Sequence, residues 1–196
     1  VATRDFHTRL DLLTALAALV SLFSDEVHKI GTNGRTIRAA LYTFAAFPAW
    51  RDMPAKQRKA ILIKIAEGIE ARAEEIALCE CWDTGQAWRF MSKAAIRGAE
   101  NFRYFADQVE AARDGQHLQS ATLMNITTRV PIGPVGVITP WTTPFMLSTR
   151  KIAAALAAGC TVVHKPAEVS PLTARILVEI SEDAGLAPGV LVTVQG

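Results

Sequence analysis

The stretch from Val135 to Val194 constrains this chain most, because three short β-rich apolar runs alternate there with two helix-patterned segments. The runs cover residues 135–139, 161–164 and 190–194, and each is consistent with a strand buried on both faces. Between them, residues 145–158 read as a helix rich in Ala and Leu and closed by Gly159. Ser170-Pro171 opens a second helix that runs to Ala184, with Gly185 behind it. Strand, helix, strand, helix, strand with short connections predicts an α/β fold built on a three-stranded parallel, Rossmann-like βαβαβ half.

Upstream the pattern is helical. Residues 10–23 read as a helix, Gly31-Thr32-Asn33-Gly34 as a turn, and residues 35–47 as a helix ended by Pro48. Asp52 and Pro54 then mark the start of a helix reaching to about Glu80. Its Ile61, Leu62, Ile65, Ala66, Ile69, Ala73, Ile76 and Ala77 fall on one face, with Lys, Arg and Glu on the other. Asp83-Thr84-Gly85 is a break. Residues 86–109 read as one amphipathic helix with Ala94, Ala95, Gly98, Phe102 and Phe105 on a stripe, and residues 122–130 alternate as a strand. The expected organisation is an atypical segment over 1–37, a helical part with one strand over 38–130, and the sheet half over 131–196.

Composition removes several function classes. The most apolar run, residues 12–23, falls short of the ~20 residues that cross a bilayer. Asp5, Asp11 and the following Ser24-Asp25-Glu26 argue against a secretory signal, so no membrane role is expected. Lys plus Arg number 21 against 19 Asp plus Glu, a net charge of +2, and the basic residues are dispersed; nucleic acid is not an expected partner. Cys79, Cys81 and Cys160 form no disulfide framework and no zinc set. They read as small apolar core residues in a reducing cytoplasm.

In an open parallel sheet, ligands gather beyond the carboxyl ends of the strands. That rule selects Thr139-Pro140-Trp141-Thr142-Thr143, His164-Lys165-Pro166-Ala167-Glu168 and Gln195-Gly196. Lys165 and Glu168, three residues apart around a proline, put a cation and a carboxylate on one lip, suited to ribose hydroxyls or an adjacent phosphate. Position alone does not separate this from two charges that merely solvate a loop. No Gly-rich dinucleotide fingerprint, P-loop, nucleophile elbow or metal-spaced histidine pair occurs, and His7, His28, His117 and His164 read as isolated surface or packed residues.

Several motifs, in matching order and spacing, resemble the NAD(P)-dependent aldehyde dehydrogenase superfamily. They are Pro134-Val135-Gly136-Val137-Ile138-Thr139-Pro140-Trp141, Lys151-Ile152-Ala153-Ala154-Ala155-Leu156-Ala157-Ala158-Gly159, Val162-Val163-His164-Lys165-Pro166-Ala167-Glu168 and Ser170-Pro171-Leu172-Thr173-Ala174. Ala45-Ala46-Phe47-Pro48-Ala49-Trp50-Arg51 and Asp83-Thr84-Gly85-Gln86 are also similar to the family. The variants at Ile138-Thr139-Pro140-Trp141 and at Cys160-Thr161-Val162-Val163-His164-Lys165-Pro166 look most like 5-carboxymethyl-2-hydroxymuconate and 2-hydroxymuconate semialdehyde dehydrogenases. The resemblance covers residues 38–196; residues 1–37 do not look like the family's usual N-terminal strands.

The resemblance implies a partial aldehyde-dehydrogenase-like fold and a cytoplasmic homo-oligomer that oxidises a small aldehyde to a carboxylic acid. In such enzymes a cysteine thiolate attacks the aldehyde, hydride passes to the nicotinamide, and a glutamate-activated water hydrolyses the thioester. It places Ile138, Thr139, Pro140 and Trp141 along the cofactor and Lys165, Pro166, Ala167 and Glu168 around the adenosine ribose. A ribose-facing Glu168 fits NAD better than NADP, whose 2′-phosphate it would repel. Thr142 stands where the family carries the oxyanion-binding Asn, and losing such a donor costs roughly 100- to 1000-fold in rate. The family's phosphate loop, general-base glutamate and nucleophilic cysteine come after the stretch matched here, so this chain alone is expected not to turn over aldehyde. The alternative expectation is a non-catalytic remnant serving as a nucleotide-binding or dimerisation module. In either case the first strand would lack a neighbour on one side, and a marginally stable or associating polypeptide is expected.

Overall fold

A computed structural model of the chain describes residues 34–111, 115, 117–119 and 123–195. The chain divides into two compact units, Val1–Ile37 and Arg38–Gly196, and the sheet with its packed helices belongs to the second. The expected helix over residues 10–23 lies outside the described residues. Gly34, expected in a turn, instead opens a helix.

That helix, α1 (Gly34–Asp52), contains Pro48. Pro48 was expected to end it, because proline removes one backbone bond and crowds the preceding turn. Tertiary anchoring outweighs that cost. Trp50, 1% exposed, donates its Nε1–H to the Leu156 carbonyl at 3.2 Å. The Arg58 guanidinium lies over the Trp50 ring and donates to the Trp50 and Met53 carbonyls, covering the helix end.

The long helix expected from Pro54 to Glu80 is two, α2 (Ala55–Ala71) and α3 (Ala73–Thr84), broken at Arg72 with φ −107° and ψ 20°. Neither Gly nor Pro marks the break. Arg72 there reaches Glu75 in the first turn of α3 at 2.7 Å and Glu179 of a later helix at 3.1 Å. The helix expected over 86–109 is likewise a single turn, α4 (Trp88–Met91), followed by α5 (Ala94–Gln108). The α5 stripe is buried as expected at Ala94, Ala95, Gly98 and Phe102, with Ala99 and Ala106 beside them; Phe105 is only half-buried. Of the strand expected over 122–130, the described residues form β2 (Met124–Ile126), paired antiparallel with β1 (His117–Gln119).

The C-terminal alternation folds as the sequence predicts, within a residue or two. β3 (Val135–Ile138), α6 (Pro144–Ala158), β4 (Val162–Lys165), α7 (Leu172–Asp183) and β5 (Leu191–Thr193) follow in order. The sheet order is β3-β4-β5 and both pairings are parallel. Gly159 closes α6 at φ 90°, a left-handed conformation that costs glycine little. α7 starts one residue later than expected, after Pro171, and Ser170 makes no side-chain cap.

Strand neighbours in chain order with right-handed crossovers put α6 and α7 on one face of the sheet. Val137, Val162 and Leu191 point into that face and share a core with Phe145, Ile152 and Leu156 of α6, Ile176, Leu177 and Ile180 of α7, and Phe102 of α5. On the other face Val163 and Val194 pack with Ala39 of α1. Gly98 permits the closest approach between α5 and α6, since a Cβ there would stand 2.6 Å from the Phe145 ring.

Candidate functional site

The carboxyl ends of β3 and β4 finish level with one another. Ile138 is the register partner of Lys165, and the Thr139 N–H donates to the Lys165 carbonyl at 3.2 Å. The two expected rims, residues 138–142 and 165–168, are therefore side by side. The third expected segment begins just beyond β5, where the Val194 N–H bonds the His164 carbonyl at 2.9 Å; Gly196 lies outside the described residues.

On the first lip Ile138 and Trp141 expose apolar surface, 44% and 54% respectively, and Pro140 and Thr142 are exposed beside them. Thr139 turns the other way and is 3% exposed, so only its main chain stands at the rim. On the second lip Lys165 Nζ lies 2.5 Å from Glu168 Oε1, and the Lys165 bond holds the Glu168 carboxyl below its usual range. Lys165 is largely covered and Glu168 is open to solvent; Pro166 is buried and Ala167 half-buried. The cation and carboxylate expected on one lip are thus present there, as an ion pair.

Directly beneath the lips is a buried polar cluster. Thr139 Oγ1 lies 3.0 Å from His164 Nε2 and 3.1 Å from Ser148 Oγ, and Ser148 Oγ lies 3.1 Å from the same nitrogen. Burial, with the nearby Lys151 charge adding to it, pushes His164 down to about 4, so the ring is neutral near pH 7. Its Nδ1 has no hydrogen-bond partner among the described residues. A bare buried acceptor is cheaper than a bare buried donor, which favours the tautomer carrying its proton on Nε2. His164 is packed, as expected, and its two hydroxyl partners are what the sequence left unseen. Lys151, one helical turn from Ser148, donates to the Ile138 carbonyl at 2.8 Å.

A second arrangement comes from the end of α3. Glu80 Oε1 accepts the Phe145 N–H at 2.7 Å and so caps the first turn of α6. Burial pushes Glu80 up to about 7, against the lowering effect of that bond and with a small upward push from Asp83. Asp83 Oδ2 accepts the Leu172 N–H at 3.0 Å, capping α7, and Gln86 Nε2 donates to the Thr142 carbonyl. Sequence reading passed over Glu80. Yet 80 is the next position on the face holding Ile76 and Ala77, and a carboxylate on an apolar face signals a buried partner.

The cysteines stand apart from the rim. Cys160 is a buried packing residue behind α6, as expected, whereas Cys79 and Cys81 are only half-buried, and burial raises the Cys79 thiol. Among the described residues no cluster of His, Cys, Asp and Glu could hold a metal ion, and no helix is long and apolar enough to cross a membrane.

A sequence profile of the aldehyde dehydrogenase family matches residues 28–196. The 2-hydroxymuconic semialdehyde dehydrogenase of Pseudomonas sp. (strain CF600) is 40% identical over 153 residues, 75% of this chain and 31% of that protein. The Escherichia coli 5-carboxymethyl-2-hydroxymuconate semialdehyde dehydrogenase is 36% identical over 152 residues, 77% of this chain and 32% of that protein. Among solved structures, HpcC from Thermus thermophilus superimposes with a TM-score of 0.79 at 49% identity, covering 81% of this chain and 31% of its own. PnpE of Pseudomonas sp. WBC-3 has been solved in complex with nicotinamide adenine dinucleotide and gives 0.77 at 37% identity, with 81% and 33% covered. An E. coli enzyme described as NADP-dependent gives 0.81 at 31% identity, with 83% and 34% covered. The chain spans about a third of the length of the curated relatives it matches. The family profile, the curated relatives and the structural superposition agree, and the chain belongs to the aldehyde dehydrogenase family, of whose fold it forms an N-terminal part.

Proposed function

We propose that this chain supplies the cofactor-binding part of an NAD-dependent semialdehyde dehydrogenase, an oxidoreductase converting a small aldehyde to a carboxylic acid. The observation that carries this reading is the pairing of Ile138 with Lys165, which sets an apolar lip and a charged lip next to each other at the carboxyl edge of a parallel sheet. The half of the sheet over residues 131–196 is the nucleotide-binding half in this reading.

The residues present fit an adenine dinucleotide. Exposed Ile138 and Trp141 offer a surface for flat apolar rings, with Pro140 between them. Lys165 and Glu168, with the short turn through Pro166 and Ala167, offer a donor and an acceptor for the ribose hydroxyls. Bound nicotinamide would supply the hydride acceptor for aldehyde oxidation. Thr142, held by its carbonyl with its side chain exposed, takes the place of the oxyanion donor. The Glu168 carboxylate disfavours a 2′-phosphate, which argues for NAD over NADP. The three free thiols suit a reducing cytoplasm, and a homo-oligomer is proposed on the resemblance to the family.

Calorimetric titration of the 196-residue chain with NAD and NADP tests the reading. NAD is expected to bind, with at least tenfold preference over NADP. Lys165→Ala is expected to weaken NAD by roughly 10-fold or more, the loss of a charged hydrogen bond. Glu168→Gln is expected to narrow the NAD preference. No heat at millimolar NAD from a chain shown to be folded would overturn the cofactor assignment.

A further inference from the structure

We infer that Glu80, Asp83 and Gln86 are positioning residues: one short segment at the end of α3 fixes where both lips of the rim lie. The inference rests on the reading that this rim receives the dinucleotide, and none of the three is assigned a contact with it.

Three contacts carry it. Glu80 holds the first turn of α6 through the Phe145 N–H at 2.7 Å. Gln86 holds the preceding loop through the Thr142 carbonyl. Asp83 holds the start of α7 through the Leu172 N–H at 3.0 Å. The two helix starts follow different strands, so nothing in the local chain requires one segment to reach both. The segment is itself braced. Thr84 Oγ1 donates to the Glu80 carbonyl at 2.6 Å and accepts the Gln86 N–H at 3.3 Å. Gly85 closes α3 at φ 71°, a left-handed turn that returns the chain toward Thr142.

The cost of the arrangement points the same way. Glu80 is 0% exposed, and its Oε2 has no hydrogen-bond partner among the described residues. Packing alone would favour an apolar side chain at that position on the Ile76–Ala77 face, because a half-satisfied buried carboxyl destabilises the fold. What the carboxyl provides instead is a rigid acceptor at the α6 start. Two first-turn N–H groups, one in each helix, are thereby taken by the protein's own acidic side chains.

The test combines NAD titration with amide hydrogen exchange on the full 196-residue chain and its Gln86→Ala, Asp83→Ala, Asp83→Asn, Glu80→Ala and Glu80→Gln variants. Loss of one bond worth about 1 kcal/mol speeds local opening about fivefold. Exchange across residues 141–147 is expected to quicken about fivefold or more in Gln86→Ala and Glu80→Ala. Exchange across residues 172–175 is expected to quicken by the same factor in Asp83→Ala. NAD affinity should fall threefold to tenfold in all three, while Glu80→Gln and Asp83→Asn, which keep an acceptor oxygen, stay within twofold of wild type. Should Glu80→Ala fail to fold, Gln86→Ala and Asp83→Ala decide the matter. Quickened exchange in a chain that never binds NAD would retain the brace and remove the cofactor reading. Unchanged exchange and unchanged NAD affinity in Gln86→Ala and Asp83→Ala would overturn the brace.

Discussion

Two buried ionisable side chains near the rim carry opposite pH signatures. Glu80 is raised to about 7 by burial, and His164 is lowered to about 4 by burial with help from Lys151. For Glu80 the folded value lies above the unfolded one near 4.5, so its contribution is complete below pH 4.5 and is lost as pH rises toward 7. For His164 the folded value lies below the unfolded 6.5, so its contribution is complete above pH 6.5 and is lost as pH falls toward 4. Each shift corresponds to about 3 kcal/mol, and over pH 4.5–6.5 the two slopes oppose. Denaturant titrations across pH 4–8 should separate them. Glu80→Gln, which keeps only His164, is expected to gain about 3 kcal/mol of stability from pH 4 to 6.5, whereas His164→Leu, which keeps only Glu80, is expected to lose about 3 kcal/mol from pH 4.5 to 7. Coincident pH profiles for the two variants would show that neither group is coupled to folding. His164 was legible as a packed or surface residue in an apolar strand run, and for Glu80, which was passed over, the only signal was its place on an apolar helix face. Their partners Ser148, Thr139 and Phe145 were not, because each lies on an element that only packing brings near.

Helices and strands followed local rules where punctuation was strong and departed from them where long-range contacts intervened. Gly159 ends α6 and Gly85 ends α3, both in the left-handed conformation. Pro48 failed to end α1, since Trp50 and Arg58 secure the turn beyond it. The α2–α3 break carried no local signal at all; it sits where Arg72 meets Glu179 from α7. The α5–α6 contact yields a prediction of its own. Gly98→Ala would drive a methyl into the buried Phe145 ring, an overpacking cost of about 1–3 kcal/mol offset by about 1 kcal/mol of helix propensity. A net loss of about 1 kcal/mol is expected by thermal unfolding, together with faster exchange at Phe145. A variant as stable as wild type would mean that α5 and α6 separate easily.

At the scale of the 196-residue chain, the β3 side of the sheet bears on association. Among the described residues β3 pairs with β4 alone. The Val135 and Thr139 N–H groups point toward β4, so by alternation those of Gly136 and Ile138 point to the free edge. Lys151 covers the Ile138 carbonyl there, and Gly136 remains exposed. An edge of this kind recruits another strand. Sedimentation is expected to show association rising with concentration, and Gly136→Lys, which adds charge at the edge, should shift it toward monomer. A wild-type chain that stays monomeric at hundreds of micromolar would dismiss edge pairing.

The sequence by itself determined the α/β class, the order of the last five elements and the residues at the two lips. Those follow from periodicity and from Gly and Pro punctuation, which act over a few residues. Tertiary structure decided that the lips are level, that Lys165 and Glu168 pair, and that α3 reaches both helix starts. Strand register and the meeting of residues 65 and 89 positions apart depend on how helices pack on a sheet, and no local pattern encodes that distance.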